Sequence, residues 1–160
     1  MKIGSKEIGP SHPVFIIAEA GVNHNNNLSL AYKMIDLAVK SRADAIKFQS
    51  FITDNMQLQE SKKPRYQNKL PWSYYEQLKK SESSFDFQRK LIKYCKKKKI
   101  LFLSTPYDEE SVDFLVNMRI PAFKISASDT TNHLFLKRLF LTTIRILLPN
   151  FSQPKIISSG

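Results

Sequence analysis

Short apolar runs alternate with longer amphipathic stretches along this chain. Val14-Phe15-Ile16-Ile17-Ala18 is an uninterrupted apolar run that stops at Glu19, the pattern of a parallel strand covered on both faces. Beyond a loop rich in Asn (Asn23, Asn25, Asn26, Asn27), apolar residues recur at Leu28, Ala31, Ile35 and Ala38. That spacing gathers one stripe of a helix toward a core, with Asn27 as its N-cap. Ala43 to Phe48 predicts a second strand, a helical stretch surrounds Phe87, Leu91 and Tyr94, and Ile100 to Leu103 predicts a third strand. A further helix begins near Asp108, whose carboxylate can cap it while Glu109 and Glu110 favour the positive end of its dipole; Val112, Leu115 and Val116 are its buried side. Pro121 to Ile125 predicts a fourth strand and Lys155 to Ile157 a short fifth one. Between them Leu134 to Leu148 is apolar and basic, with weak periodicity.

Strands that alternate with helices form a parallel sheet, either a (β/α)₈ barrel or an open doubly wound sheet. Neither G-x-G-x-x-G nor a P-loop follows the first strand, so the usual nucleotide-binding signatures of open sheets are missing and the barrel is favoured. A complete barrel takes about 250 residues, so 160 residues predict a partial TIM barrel of about five parallel strands with intervening helices. Such a sheet has open edges, over one of which Leu134 to Leu148 could fold back.

The apolar fraction of 42% suits one domain with a genuine core. A single cysteine, Cys95, and the lack of any Cys/His cluster fit a reducing compartment and predict no metal site in the chain. Met1 to Pro10 lacks the apolar segment of a signal peptide, and no apolar run is long enough to cross a bilayer; a cytoplasmic protein with no membrane partner is expected. The net charge of +11 would attract nucleic acid, an anionic membrane surface or small anions alike. Its densest run, Lys96 to Lys99, falls where a helix should end and lacks the interleaved aromatics of a nucleic-acid surface. No nucleic-acid partner is therefore expected.

Polar residues collect at the carboxyl ends of the predicted strands, the active-site face of a barrel: Glu19, Lys47, Gln49, Ser104, Thr105, Lys124 and Ser158. Lys47 and Lys124 interrupt apolar strands, where an unpaired cation is costly. Two readings are open: they converge on a phosphate or carboxylate, or each is paired with a buried carboxylate such as Glu19 or Asp44.

Four ordered blocks then carry a resemblance. Ile17-Ala18-Glu19-Ala20-Gly21-Val22-Asn23-His24-Asn25, Ala43-Asp44-Ala45-Ile46-Lys47-Phe48-Gln49, Phe102-Leu103-Ser104-Thr105-Pro106-Tyr107-Asp108 and Phe123-Lys124-Ile125 resemble the signatures of the N-acetylneuraminate (sialic acid) synthase family, whose close relatives make legionaminic and pseudaminic acid. The resemblance implies the amino-terminal part of a barrel that condenses phosphoenolpyruvate with an N-acylated mannose-type sugar, such as N-acetylmannosamine, to a nine-carbon 2-keto acid with release of phosphate. By the same resemblance Glu19, Lys47 and Lys124 are catalytic, and Gln49, Asn23, His24, Thr105, Ser126, Ser128 and Ser158 bind substrate. For Asn23 and His24 the alternative is a loop that caps the first helix, and Tyr107 is expected to pack.

Departures accompany the match. The family serine position is Ala127 in Ser126-Ala127-Ser128-Asp129, and Asn26 stands where glycine is preferred, a residue that tolerates left-handed backbone. Spacing also runs long between Leu134 and Pro154. The family uses a divalent metal, Mn²⁺ or Mg²⁺, and its full-length members are expected to form homodimers. Its two metal-binding histidines and its carboxy-terminal antifreeze-like domain would fall beyond Gly160.

Overall fold

A computed structural model describes residues 2–56 and 72–148. Its elements are β1 (Lys2–Ile3), β2 (Lys6–Glu7), β3 (Ile17–Gly21), α1 (Leu28–Lys40), β4 (Ala45–Ser50), α2 (Thr53–Met56), α3 (Tyr74–Ser81), α4 (Phe85–Lys98), β5 (Leu101–Pro106), α5 (Glu109–Asn117), β6 (Ala122–Lys124), a 3-10 turn (Ala127–Thr131), α6 (His133–Phe140) and β7 (Arg145–Leu147). Strands β3-β4-β5-β6-β7 form one parallel sheet in strict chain order. An open doubly wound sheet reverses its strand order at a switch point. This one does not reverse, so it is the arc of a barrel.

Side-chain alternation divides the sheet into two faces. Ala18, Ala20, Ile46, Phe48, Phe102, Phe123 and Ile146 pack outward against the helices, where Tyr32 of α1 stacks on Tyr94 of α4 at 4.0 Å and Phe85 on Phe114 of α5 at 4.3 Å. Ile17, Ala45, Leu101, Leu103, Ala122 and Leu147 line the barrel interior. The predicted caps are in place: the Asn27 side chain accepts from Leu30 N, and Asp108 accepts from Ser111 N and, at 2.8 Å, from Ile52 N.

Three expectations are corrected. The first strand begins at Ile17 rather than Val14, because its register starts opposite Ala45; Val14 and Ile16 lie below the sheet, 82% and 52% exposed. Ser104 turns toward the helices, where its hydroxyl lies 2.6 Å from that of Ser50. The segment Leu134 to Leu148 does not fold back over an open edge. It supplies most of α6 and then β7, which pairs with β6 and moves the edge one strand onward. The strand expected at Lys155 to Ile157 lies outside the described residues.

The charged amino terminus holds an element that the sequence pattern did not announce. β1 and β2 form a hairpin that turns at Gly4 (φ +57°) and drives Ile3, fully buried, against Ala45, Leu103 and Ala122. The hairpin thus closes the amino-terminal end of the barrel interior, opposite the polar end, and Lys6 pins it to Asp44 at 3.0 Å. Ile3→Ala is expected to destabilise the chain by about 2–5 kcal/mol through cavity formation, measured as a drop in denaturant midpoint. Gly4→Ala should also destabilise, since its Cβ would lie 2.8 Å from Leu101 Cδ2 on a left-handed backbone. An unchanged midpoint in both would show that the hairpin is dispensable.

Candidate functional site

The interior positions change character from one end of the barrel to the other. Register pairs Ile17 with Ala45 and Leu101 at the closed end, then Glu19 with Lys47 and Leu103, then Gln49 with Thr105. Lys124 faces the same interior from β6, whose Ala122 belongs to the inner cluster. A period-2 strand that places Ala45 inside must place Lys47 and Gln49 inside as well. The polar layer is thus a direct consequence of the strand pattern.

Lys47 Nζ lies 2.7 Å from Glu19 Oε1, with the lysine side chain 10% exposed and the carboxylate 57% exposed. The cation is buried and its partner is open to solvent. Lys124 Nζ donates to the Ile125 carbonyl at 2.8 Å. Burial pushes the Lys124 pKa below the usual lysine value, the Lys47 charge pushes it further, and Glu19 acts in the opposite direction. The two ammonium groups therefore sense one another, and an anion placed between them would relieve both the repulsion and the desolvation. The paired reading and the convergent reading are thus compatible: Lys47 has Glu19, while among the described residues Lys124 has a carbonyl. Thr105 is 2% exposed.

A cavity of about 460 Å³ opens directly above this layer. The strand ends give it Gln49, Phe51, Tyr107 and Ser126, and Ser128 comes from the 3-10 turn. Its other wall is α2 and α3, an excursion inserted between β4 and α4 that contributes Met56, Tyr74, Gln77, Leu78 and Ser81. Lys79 ties this wall together, 2.8 Å from Asp54 of α2 and 3.1 Å from Glu82, whose other bond is to Thr53 N. Asn26, with φ +56°, donates to the carbonyls of Lys80 and Glu82. The left-handed tolerance expected of this Asn is used to anchor the end of α3.

The candidate residues separate into two groups. Glu19, Lys47, Gln49, Thr105 and Lys124 share the barrel interior, and Ser126 and Ser128 sit at its rim with hydroxyls 2.8 Å apart. Asn23 is exposed in a turn, its N–H bonded to Ala20 O. A substrate-lining position for His24 is corrected: its ring is 1% exposed and packs between Phe48 and Phe87, while Nδ1 accepts from Asn26 N. Burial lowers its pKa, which favours the neutral ring. Phe48 points outward, and a ring against it has to follow. Ser158 lies outside the described residues.

The sequence reading missed Asp129 and the α2–α3 wall. Asp129 Oδ2 is buried without a hydrogen-bond partner among the described residues, and burial raises its pKa. It stands close enough to Tyr107 to act on that hydroxyl, whose own pKa is raised chiefly by burial and which is hydrogen-bonded to Ser126. Asp129 ends the Lys124-Ile125 block, so its place in the motif was a usable signal. Tyr107 does pack, edge-on to Phe51 at 6.2 Å, but it also faces the cavity.

Among the described residues no group of three or more His, Cys, Asp or Glu side chains could hold a metal ion. His24 is enclosed, and His12 lies 3.5 Å from Glu7 at the closed end. The donors needed for the implied divalent ion are not assembled by these residues. No described helix is long and apolar enough to cross a membrane.

Residues 34–150, more than half of the chain, match the NeuB family. The chain belongs to the NeuB family. An N,N'-diacetyllegionaminic acid synthase of Campylobacter jejuni is 43% identical over 136 residues, covering 83% of this chain and 41% of the relative. The human N-acetylneuraminate-9-phosphate synthase is 33% identical over 155 residues, covering 96% and 41%. A crystal structure of N-acetylneuraminic acid synthetase from Leptospira borgpetersenii, in complex with citrate, superposes with a TM-score of 0.78 at 30% identity, covering 92% of this chain and 48% of that one. The NeuB-family sheet described above is thus part of a sialic acid synthase-type TIM barrel. The chain spans about two fifths of the length of the curated relatives it matches.

Proposed function

We propose that this chain forms the phosphoenolpyruvate-binding half of a sialic acid synthase-type transferase, and that the sugar acceptor occupies the cavity beside it. The observation that carries the reading is the convergence of Lys47 and Lys124 inside the barrel, one paired with Glu19 at 2.7 Å and the other, among the described residues, held by a carbonyl. Two ammonium groups and the Thr105 hydroxyl match the carboxylate and phosphate of phosphoenolpyruvate by charge and donor count. In this reaction the enol carbon forms a bond to the sugar aldehyde carbon, water adds to the resulting oxocarbenium carbon, and the tetrahedral intermediate expels phosphate. Glu19 is half exposed at the mouth of the lysine layer and faces the reacting centre. Asp129, whose pKa burial raises, lies near Tyr107 at the rim and is the carboxyl group assigned to hold a proton for the sugar oxygen. The divalent ion implied for the family supplies Lewis-acid polarisation when bound; the described residues offer it no ligand set.

A second reading is a non-catalytic remnant that binds a small phosphorylated anion. Ala127 favours it, because the hydroxyl expected at that position is missing from the rim. Calorimetry with phosphoenolpyruvate, together with a phosphate-release assay containing N-acetylmannosamine and manganese, separates the readings. Binding with phosphate release supports the transferase, and binding with release at background supports the remnant. The isolated chain is expected to give the latter. A folded sample that binds no phosphoenolpyruvate would reject both.

A further inference from the structure

A connected set of buried polar side chains lies on the far side of the sheet from the lysine layer. Along the outward faces of β4 and β5 the apolar residues Ile46, Phe48 and Phe102 give way, at the carboxyl ends, to Ser50 and Ser104. Both serines are buried, as are Gln88 of α4 and Ser83. Ser50 donates to Gln88 Oε1 at 2.6 Å, and a hydroxyl has one proton, so Ser104, 2.6 Å away, donates to Ser50. The Gln88 amide donates in turn to the Ser83 carbonyl at 3.3 Å. Ser83 donates its hydroxyl to Asn26 Oδ1 at 2.7 Å, and the Asn26 amide donates to the carbonyls of Lys80 and Glu82 at 3.0 and 2.8 Å. Both amides have a defined orientation, because the carbonyls they face can only accept. Every donor thus points the same way, from β5 to the end of α3.

Burying these groups costs stability unless each is bonded, and small apolar residues in place of Ser50 and Ser104 would continue the apolar face without that requirement. What a satisfied polar network adds over apolar packing is a single permitted arrangement. That matters for α3. Its face of Tyr74, Gln77, Leu78 and Ser81 looks into the cavity and none of its residues is fully buried, so core packing does not fix its place. Lys79 joins α3 to α2 and to Glu82, whereas the polar network joins the end of α3 to β4 and β5. Gln88 is where the two parts meet, with the sheet serines on one side and Ser83 and Asn26 on the other. We infer that Gln88 is a positioning residue: through Ser50 and Ser83 it sets the α3 face of the cavity against the strand ends that carry Gln49 and Thr105. Its effect on a ligand rests on the reading of the cavity as the acceptor's site, and the coupling between wall and sheet does not.

The test uses the 160-residue chain and two variants of it. Gln88→Met keeps the length of the side chain but leaves the Ser50 hydroxyl and the Ser83 carbonyl without their partner. The triple variant Ser50→Ala/Gln88→Met/Ser104→Ala removes the side-chain partners together, and joint replacement of bonded polar groups by apolar ones is close to neutral for folding. Hydrogen exchange, read peptide by peptide, should show the amides of residues 74–82 exchanging about tenfold faster, the equivalent of one lost hydrogen bond, relative to those of β4 and β5. Exchange in α3 that rises no more than in the strands, in whichever variant folds, overturns the inference. So does failure of both variants to fold, which would make Gln88 a folding requirement. Binding supplies a readout that a merely structural role would not split. Phosphoenolpyruvate affinity should stay within about twofold of the parent, while N-acetylmannosamine should bind the phosphoenolpyruvate-saturated variants about tenfold more weakly. Equal losses for the two ligands, or an unchanged sugar affinity once α3 is loosened, overturn the positioning role. A parent chain that binds phosphoenolpyruvate but no sugar removes the acceptor reading of the cavity, and a folded parent that binds neither removes the anion-site reading as well; in both cases the exchange ratio alone decides the coupling.

Discussion

Lys47→Met should weaken phosphoenolpyruvate binding by about one to two orders of magnitude, the equivalent of one charged hydrogen bond lost from a buried site. Its effect on folding should be small, because Met preserves volume where the cation is 10% exposed, and the abandoned Glu19 carboxylate is already 57% exposed. Lys124→Met should lower affinity to a similar extent and abolish a pH dependence that Lys47→Met only displaces. The sign follows from the depressed Lys124 pKa. In the free chain part of Lys124 loses its proton as pH rises through that lowered value; a bound dianion restores the charged form. Binding is then accompanied by proton uptake, and apparent affinity falls as pH rises from neutrality through the lowered pKa. Removing the Lys47 charge relieves one of the two causes of the depression, so in Lys47→Met the fall should move to higher pH. Calorimetry in buffers of different ionisation heat reads the proton directly. No uptake in the parent chain, or an identical pH profile in Lys124→Met, would show that Lys124 does not face the anion.

The polar layer was legible because it is written in the strand period. Once Ala45 is placed inside, Lys47 and Gln49 must follow, and an isolated lysine among apolar neighbours marks a position that needs a partner. Caps at Asn27 and Asp108 were legible for a similar reason, each being a local rule linking one side chain to an N–H three residues on. What escaped depends on contacts distant in sequence. Ile3 becomes a plug only because the barrel's closed end lies beside it, and two residues on either side of a glycine show no period. The orientation of His24 depends on Phe48 facing outward, and a loop residue has no alternation from which to read that. The wall formed by α3 is amphipathic in the wrong sense for a core helix: its striped face looks into a cavity rather than a hydrophobic interior, and none of its residues is fully buried. Leu134 to Leu148 showed only weak periodicity because it contains both a helix and a strand, and a mixture of two periods gives neither.

The chain should self-associate at micromolar concentration. Among the described residues β3 and β7 each have one neighbour in the sheet, so both outer edges present backbone N–H and C=O groups in parallel register. Apolar side chains lie near those edges. On the β3 side Ile16, Leu37 and Leu30 are 52%, 62% and 39% exposed, and toward β7 Phe140, Leu141 and Leu148 are 63%, 75% and 58% exposed. Burying such faces is worth about 25 cal/mol per Å², so a few hundred Å² at each edge amounts to several kcal/mol, against typical net stabilities of about 5–15 kcal/mol. The correction to the Leu134 to Leu148 segment strengthens this expectation, since a strand that extends the sheet passes the open edge on instead of covering it. Sedimentation velocity over a concentration series should show mass rising with concentration. Leu37→Lys, on the solvent side of α1, should reduce that rise, as should an added charge at Ile16 beside the β3 edge. Concentration-independent monomer with a cooperative melt would mean that the edges are satisfied within one chain.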